Sequence, residues 1–203
     1  MITGIQAETW LSLQPGHSII LPDGIDYEIT NRIDFNEVRN LAKWVLFEIV
    51  INEERLWIVF RMVGDKFVLR VMEDAPDFEE GNREDHISWE NLWLFQEPET
   101  PDYEFLELQY SQEMERGEAT YIQRQGELSC KVEYTPKRDE CEGHIATLLE
   151  YTATVVCNYN EILLVETGNP DNESGGLIKL FIGHTIDPKH VKIHVKTGEL
   201  SGT

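Results

Sequence analysis

Three apolar runs alternate with short polar connectors between residues 41 and 73. Each run is short and rich in Val, Ile, Phe and Trp, and the connectors at residues 52–54 and at Gly64 and Asp65 consist of turn-forming residue types. This pattern is typical of β-strands joined by tight hairpins. It predicts a three-stranded antiparallel meander at the centre of the fold.

The side chains of the meander should alternate between its two faces. Trp44 and Leu46 are expected on one face, and Phe47 and Ile49 on the other. If both faces are largely buried, the meander is the centre of the fold. A helix over residues 41–51 would contradict this interpretation.

Strand and turn patterns continue along most of the chain. Residues 15–21 and 25–29 predict a hairpin around the turn residues 22–24, because the Asp-Gly pair favours a tight turn. Residues 30–40 are polar and are expected to connect this hairpin to the meander. Further strands are predicted at residues 103–110, 119–125, 128–134, 144–157, 161–167, 177–186 and 191–195.

The sequence therefore predicts an all-β protein with little helix, in which two similar antiparallel meanders or half-barrels pack as one compact unit. The expected divisions are an N-terminal arm at residues 1–13, which is either a short helix or a loose segment, a first β half at 14–96 and a second β half at 97–203. The boundary is placed near the acidic loop at residues 74–86 or at the break between Pro98 and Pro101.

Charge is the most unusual global property of the chain. The 38 acidic and 17 basic residues give a formal net charge of −21. A field of this sign repels phosphate backbones, so direct binding to nucleic acid is disfavoured. It favours a protein partner with a basic surface, mimicry of nucleic acid, or simple solubility.

The cysteines and the N-terminal sequence both indicate where in the cell the protein is expected. Cys130, Cys141 and Cys157 are odd in number and form no Cys-x-x-Cys pair, which favours reduced thiols over a disulfide framework. Residues 1–17 lack the basic and apolar regions of a signal peptide, and no run reaches the ~18 apolar residues of a membrane-spanning helix. We therefore expect a cytoplasmic protein that does not span a membrane.

Candidate metal ligands are present but poorly spaced. His190 and His194 lie four residues apart with His184 upstream, but in a strand that spacing separates the side chains by ~13 Å. The pair Cys141 and His144 has a permitted zinc spacing, which Cys130 and Cys157 could complete. The loop containing Asp171 and Glu173 lacks the ligand pattern of a calcium loop. The prediction is that the protein uses no metal and no cofactor.

Catalytic motifs are also missing from the sequence. It contains no Gly-x-Ser-x-Gly elbow and no glycine-rich phosphate loop. Carboxylates are too abundant for any one pair to indicate catalysis. Trp57, Trp89 and Trp93 could line a groove for a carbohydrate or peptide, although a core position is the more common role of such residues in a β-rich fold.

A family resemblance extends over most of residues 14–195. Its residues are Gly16, Ile19, Gly24, Tyr27 and Ile29, then Trp44, Phe47 and Ile49, then Leu56, Trp57 and Ile58, and in the second half Gly117, Glu118, Gly126, Glu127, Glu150, Tyr151 and residues 163–166. In this order they resemble a bacterial family catalogued as domain of unknown function 4178. The chain departs from it at Phe60 and Arg61, where the family more often has an acidic end to the Leu-Trp strand. The resemblance implies an accessory protein encoded near membrane-stress and phage-shock-type genes, without established catalytic residues.

Taken together, these patterns favour a non-catalytic, cytosolic accessory protein that binds another protein. The alternatives are an acidic inhibitor or immunity-type protein that masks a basic nucleic-acid-binding site, and a hydrolase that uses carboxylates in a Trp-lined cleft. The candidate partner-binding residues are Trp89, Leu92, Trp93 and Phe95, which follow the acidic loop and would form an aromatic hot spot if exposed. The oligomeric state is left open.

Overall fold

A computed structural model gives the fold, and it describes nine stretches of the chain. These are residues 4–38, 42–52, 54–74, 113–116, 119–123, 128–137, 145–154, 160–168 and 177–194.

The described residues form one α-helix and twelve β-strands. The helix is α1 (Gly4–Ser12), and a 3-10 helix occupies Pro188–His190. The strands are β1 (Ser18–Ile20), β2 (Asp26–Glu37), β3 (Ala42–Ile51), β4 (Glu54–Val63), β5 (Lys66–Asp74), β6 (Glu113–Arg116), β7 (Ala119–Gln123), β8 (Leu128–Thr135), β9 (Ile145–Ala153), β10 (Glu161–Gly168), β11 (Leu177–Ile186) and β12 (Lys192–His194). The predicted all-β class with little helix is confirmed.

Most strands predicted outside the meander are confirmed with small changes of length. The predicted strands at 119–125, 128–134, 161–167 and 177–186 correspond to β7, β8, β10 and β11. The strand predicted at 144–157 is described as β9, and the one at 191–195 is the short β12. The strand predicted at 103–110 lies outside the described residues.

Contacts between residues group the chain into two compact units that are discontinuous in sequence. The first unit comprises Met1–Glu73, Cys130–His144 and Thr185–Thr203, and the second comprises Asp74–Ser129 and Ile145–His184. The predicted boundary, at residues 74–86 or between Pro98 and Pro101, lies almost wholly outside the described residues. The predicted division at residue 96 therefore stays a prediction.

The first unit is built on the antiparallel strands β2 to β5. Both hairpins that were predicted within it are present. Ile51 pairs with Glu54 across the β3–β4 turn, where Asn52 has a φ of 46°. Val63 pairs with Lys66 across the β4–β5 turn, where Gly64 has a φ of 59°. The predicted three-stranded meander over residues 41–73 is confirmed.

Both faces of the meander are buried, which meets the condition for placing the meander at the centre of the fold. Phe47 and Ile49 lie on the face that carries the aromatic cluster of the first unit, which we call the core face. Trp44 and Leu46 lie on the opposite face, which we call the second face. All four side chains are fully buried. The meander therefore forms the centre of the first unit.

The predicted polar connector at residues 30–40 is wrong, because β2 continues through most of it to Glu37. Pairing with β3 shifts between Ile29 and Asn31, so Thr30 is an extra residue on β2. Such a β-bulge reverses which residues of the strand face each side. As a result, Arg32 pairs with Phe47 and faces the core, although the strand reads as polar in the sequence.

Helix α1 and the short strands β1 and β12 complete the described part of the first unit. β1 pairs with the beginning of β2 on one side and with β12 on the other. Cys130–Thr135 of β8 pairs with the later part of β2. α1 covers the core face, where the Trp10 ring lies 6.3 Å from the ring centroids of both Phe47 and Phe60. Within the described residues, no helix is both long and apolar enough to cross a bilayer.

The second unit contains the antiparallel strand order β11-β10-β9-β7-β6. Consecutive residues of β9 and β10 are buried, so both faces of these two strands are covered. The buried side chains are Ala146, Leu148, Leu149, Glu150, Tyr151, Glu161, Ile162, Leu163, Leu164 and Val165. Continuous apolar runs of this kind are expected in strands that are enclosed on both faces.

Candidate functional site

The predicted partner-binding residues Trp89, Leu92, Trp93 and Phe95 lie outside the described residues. The acidic loop that precedes them is described only at Asp74, the last residue of β5. This site therefore stays a prediction. Trp57, one of the predicted groove-lining residues, is described and is buried in the first unit, with 4% of its surface exposed. The core interpretation is confirmed for that residue.

The histidines that were considered as metal ligands in the sequence are spread over three elements. His184 lies in β11, His190 ends the 3-10 helix and His194 ends β12, and all three are exposed. Across the described stretches, no group of three or more His, Cys, Asp and Glu residues could hold a metal ion. The other candidates that were predicted from the sequence, Cys141, His144, Cys157, Asp171 and Glu173, lie outside those stretches.

Cys130 is a buried thiol on β8. It pairs across the strands with Glu37 of β2, which is also buried. Burial, together with the negative charge of Glu37, raises the pKa of the Cys130 thiol to about 12. The thiolate is the reactive form of cysteine, so this side chain acts as a small apolar group at neutral pH.

Exposed carboxylates gather at one end of the first unit. They belong to the β1–β2 turn and the strand starts beside it, and we call them the acidic turn surface: Asp23, Asp26, Glu28 and Glu54. The β1–β2 turn and the β3–β4 turn lie at the same end because the strands are antiparallel. Ile25 is exposed at 39% within this surface. An exposed apolar side chain in the same turn as exposed carboxylates is suited to a partner that carries both charge and apolar groups.

The local sequence explains the shape of the β1–β2 turn. Gly24 has a φ of 81°, which glycine adopts without steric cost. The Asp23 carboxylate accepts a hydrogen bond from the backbone N–H of Ile25 at 2.8 Å, as in an Asx turn. The hydroxyl of Tyr27 donates to the other oxygen of the same carboxylate at 3.1 Å. One side chain therefore fixes both the turn and the first residues of β2.

The behaviour of Tyr27 shows that this end of the unit is electrostatically negative. Burial, the hydrogen bond to Asp23 and the negative charges of Asp23 and Glu54 raise the pKa of Tyr27 to about 12. Each of these effects disfavours the tyrosinate anion. The carboxylates of the two turns thus act on one common region. The same field would attract a cationic group from a partner.

The acidic turn surface has a histidine beside it. Nδ1 of the exposed His194 lies 3.8 Å from the carboxylate of Asp26. Arg55 is already paired, because its Nε lies 2.7 Å from Oε1 of Glu48. The side-chain amide of Asn31 also donates to Glu48. The four carboxylates of the acidic turn surface are exposed, so a partner can reach them.

A second charged cluster combines buried Arg32 and Asp34 with the partly buried Lys43, and we call these three residues the ionic clamp. Arg32 donates two hydrogen bonds to the Asp34 carboxylate, from Nε at 2.6 Å and from Nη2 at 2.8 Å. Lys43 Nζ lies 3.0 Å from the same carboxylate. Burial alone would raise the pKa of Asp34, but the hydrogen bonds and charges of Arg32 and Lys43 outweigh it and hold the pKa below its usual value.

The remaining guanidinium nitrogen of Arg32 holds the end of α1. Nη1 donates to the backbone carbonyl oxygen of Leu11 at 2.8 Å and also to that of Leu13. The last carbonyls of a helix have no partner within the helix and carry partial negative charge. The Arg32 side chain therefore caps α1 while its Cζ lies 5.8 Å from the centroid of the Phe47 ring. No local sequence pattern predicts this contact, because Arg32 and the end of α1 lie about twenty residues apart along the chain.

In the second unit, two buried carboxylates share one face of β9 and β10. Glu150 pairs with Leu163, and Thr152 pairs with Glu161, so all four side chains point to the same side. The Thr152 hydroxyl donates to Oε2 of Glu161 at 3.3 Å. Both glutamates are almost fully buried. Their positions on a closed face favour a structural role over substrate binding.

No protein-family model, curated protein or solved structure matches this chain. The resemblance to domain of unknown function 4178 therefore stays a prediction. Function has to be argued from the residues themselves, and the acidic turn surface is the described region best suited to meeting a partner.

Proposed function

We propose that the protein is a non-catalytic accessory protein that binds another protein through a basic surface of that partner. The observation that carries this proposal is the acidic turn surface, which has four exposed carboxylates and an exposed isoleucine, Ile25, in the same turn. Its field is strong enough to contribute to the raised pKa of Tyr27. Complementary charge of this kind speeds association and selects partners.

The net charge of −21 extends the same argument to long range. A basic partner is attracted before contact, whereas nucleic acid is repelled. The partner-binding residues predicted from the sequence, Trp89 and Trp93 among them, would supply an apolar anchor. A membrane-stress context and a cytoplasmic location, which the family resemblance and the N-terminal sequence suggested, belong to this proposal as well.

The test is affinity purification from the native host with matched variants. One variant combines Asp26→Asn, Glu28→Gln and Glu54→Gln, which remove charge from the acidic turn surface but keep Asp23 to hold the turn. The control combines Glu8→Gln, Asp65→Asn and Glu133→Gln, which remove the same charge from exposed positions elsewhere in the first unit. We expect a co-purifying protein with a basic surface to be lost with the first variant and kept with the control.

Equal retention by both variants would refute the role of this surface. The identity of the partner then separates two related functions. A partner whose nucleic-acid-binding site is blocked in the complex would indicate an acidic inhibitor or immunity-type protein. A partner with no such site would indicate an accessory subunit.

A further inference from the structure

We propose that α1 is a detachable cover of the first unit, which separates from the sheet while the strands stay paired, and that Arg32 sets how often it does so. The proposal concerns the N-terminal helix and does not depend on the partner proposed above.

The first step of the argument is connectivity. None of the described strand pairings involves α1, so the helix can leave without breaking a hydrogen-bond ladder. The first described backbone bond between this end of the chain and β2 comes after the helix, where the N–H of Gly16 donates to the carbonyl of Ile29 at 2.8 Å. A natural hinge for the movement therefore lies at residues 13–16.

The second step is the weakness of the helix itself. α1 has nine residues, with no acidic side chain in its first turn and no basic side chain in its last turn. Helices shorter than about 12 residues are marginal in water, and this one lacks the charges that would stabilise its ends. Its stability must come from the side chains of Ala7, Trp10 and Leu13, which pack on the core face, and from Arg32.

The third step is that the group on the sheet that binds the end of the helix stays in position when the helix leaves. Arg32 keeps its two hydrogen bonds to Asp34 when α1 leaves, and Lys43 stays beside the same carboxylate. The guanidinium is therefore held in place, with its Nη1 directed at the position of the helix end. A group that is fixed before its partner arrives loses little conformational entropy when the contact forms.

Opening would change the surface of the first unit in a defined way. It would uncover the rings of Phe47 and Phe60, against which Trp10 packs, and would expose Trp10 itself. Closing would restore both the aromatic contacts and the cap on Leu11 and Leu13. The closed and open states differ only in the position of α1, as is required of a segment that opens locally while the rest of the fold stays intact.

Hydrogen exchange of the full-length protein, measured at increasing urea concentrations below the unfolding transition, tests the proposal. We expect the amides of residues 8–13 to exchange at least tenfold faster than those of β3 and β4, with a weaker dependence on urea. A weaker dependence is the signature of an opening that exposes less surface than global unfolding does. Identical rates and identical urea dependence for both sets would overturn the proposal, because α1 would then open only with the whole fold.

Variants of the ionic clamp test the part played by Arg32. Arg32→Met keeps the aliphatic stem and removes the donors, so exchange at residues 8–13 should accelerate by about tenfold or more relative to β3. Lys43→Met is the matched control, since Lys43 pairs with Asp34 whereas the bonds to the end of α1 come from Arg32, and it should leave that ratio unchanged. An equal acceleration of all amides by Arg32→Met, or loss of the whole fold, would show that Arg32 does not act on α1 selectively.

Discussion

At the scale of single residues, one inserted residue decides which side chains the first unit buries. Thr30 bulges from β2 and shifts its pairing with β3, so that Arg32 and Asp34 turn toward the core face. Without the bulge these positions would face the other way, and the clamp could not reach α1. The charged pair is tolerated because every group in it is paired, which is the condition for burying charge.

The contribution of Asp34 to the free energy of unfolding should depend on pH. The pKa of Asp34 lies below the usual value in the folded state. The stabilisation from its ionised carboxylate is therefore fully present above the unfolded pKa of about 3.9 and is lost as the pH falls through the folded pKa. Asp34→Asn should cost about 3 kcal/mol at pH 7, since it leaves Arg32 poorly paired. The difference in the free energy of unfolding between this variant and the natural protein should shrink below about pH 4. Urea unfolding across a pH series measures this difference. Glu133→Gln, a substitution at an exposed neighbouring position, is the control.

Truncation of Phe47 tests the centre of the core face. Its side chain is fully buried and contacts both Trp10 and Arg32, so Phe47→Ala should lower the free energy of unfolding by about 3–5 kcal/mol. Val63→Ala, at a position that is 44% exposed, should change it far less. Chemical denaturation measures the free energy of unfolding of both variants. An equal decrease for the two would contradict this account of the core.

The reactivity of Cys130 follows from its surroundings. With a pKa raised to about 12 by burial and by Glu37, the thiol should resist alkylation at pH 8 in the folded protein. In a background of Cys141→Ser and Cys157→Ser, labelling should proceed only as fast as the protein unfolds. Labelling in the native state at the rate of a free thiol would show that the β2–β8 pairing opens readily.

At the scale of elements, the hairpins and the meander could be predicted because their signals are local. Apolar residues alternate with short connectors, and Gly64 and Asn52 supply the positive φ angles that tight turns require. The later part of β2 could not be recognised, because its core-facing residues are charged and its register depends on a bulge. α1 gave no clear signal either, since a nine-residue helix is stabilised mainly by contacts with residues distant in sequence.

Neither the acidic turn surface nor the ionic clamp could be located from the sequence. The carboxylates of the acidic turn surface lie at two different turns, and only the pairing of the strands brings these turns to one end of the sheet. The clamp joins β2, β3 and α1 in the same way. The sequence does show that the chain is acidic, but the position of the charge depends on the tertiary fold.

The β4–β5 hairpin offers a direct test of turn chemistry. A Cβ at Gly64 would meet no atom within 4 Å, so the cost of a substitution comes from the φ of 59° alone. Gly64→Ala should destabilise the protein by about 1 kcal/mol, and Gly64→Asn by less, because asparagine tolerates this conformation better. Thermal or urea unfolding of the two variants gives the comparison. A cost for Asn equal to or above that for Ala would mean that factors other than φ dominate at this turn.

At the scale of the whole molecule, net charge shapes how the protein meets others. A charge of −21 on 203 residues gives a field that extends well beyond the van der Waals surface at low salt. The described acidic turn surface and the acidic loop of the sequence both contribute to it. Affinity, in contrast, depends mainly on short-range apolar contacts, for which Trp89, Leu92, Trp93 and Phe95 remain the predicted residues.

A salt series should therefore separate the contribution of charge from that of the apolar contacts once a partner has been purified. The Debye length shrinks from ~10 Å at 0.1 M to ~3 Å at 1 M ionic strength, so the association rate should fall steeply across this range while dissociation changes little. Stopped-flow mixing over a salt series measures both rates. Trp93→Ala, in a protein shown to remain folded, should leave the salt dependence of association intact and accelerate dissociation. A salt-independent association rate would remove the electrostatic part of the proposed function, and an unchanged dissociation rate in the Trp93 variant would remove the aromatic part.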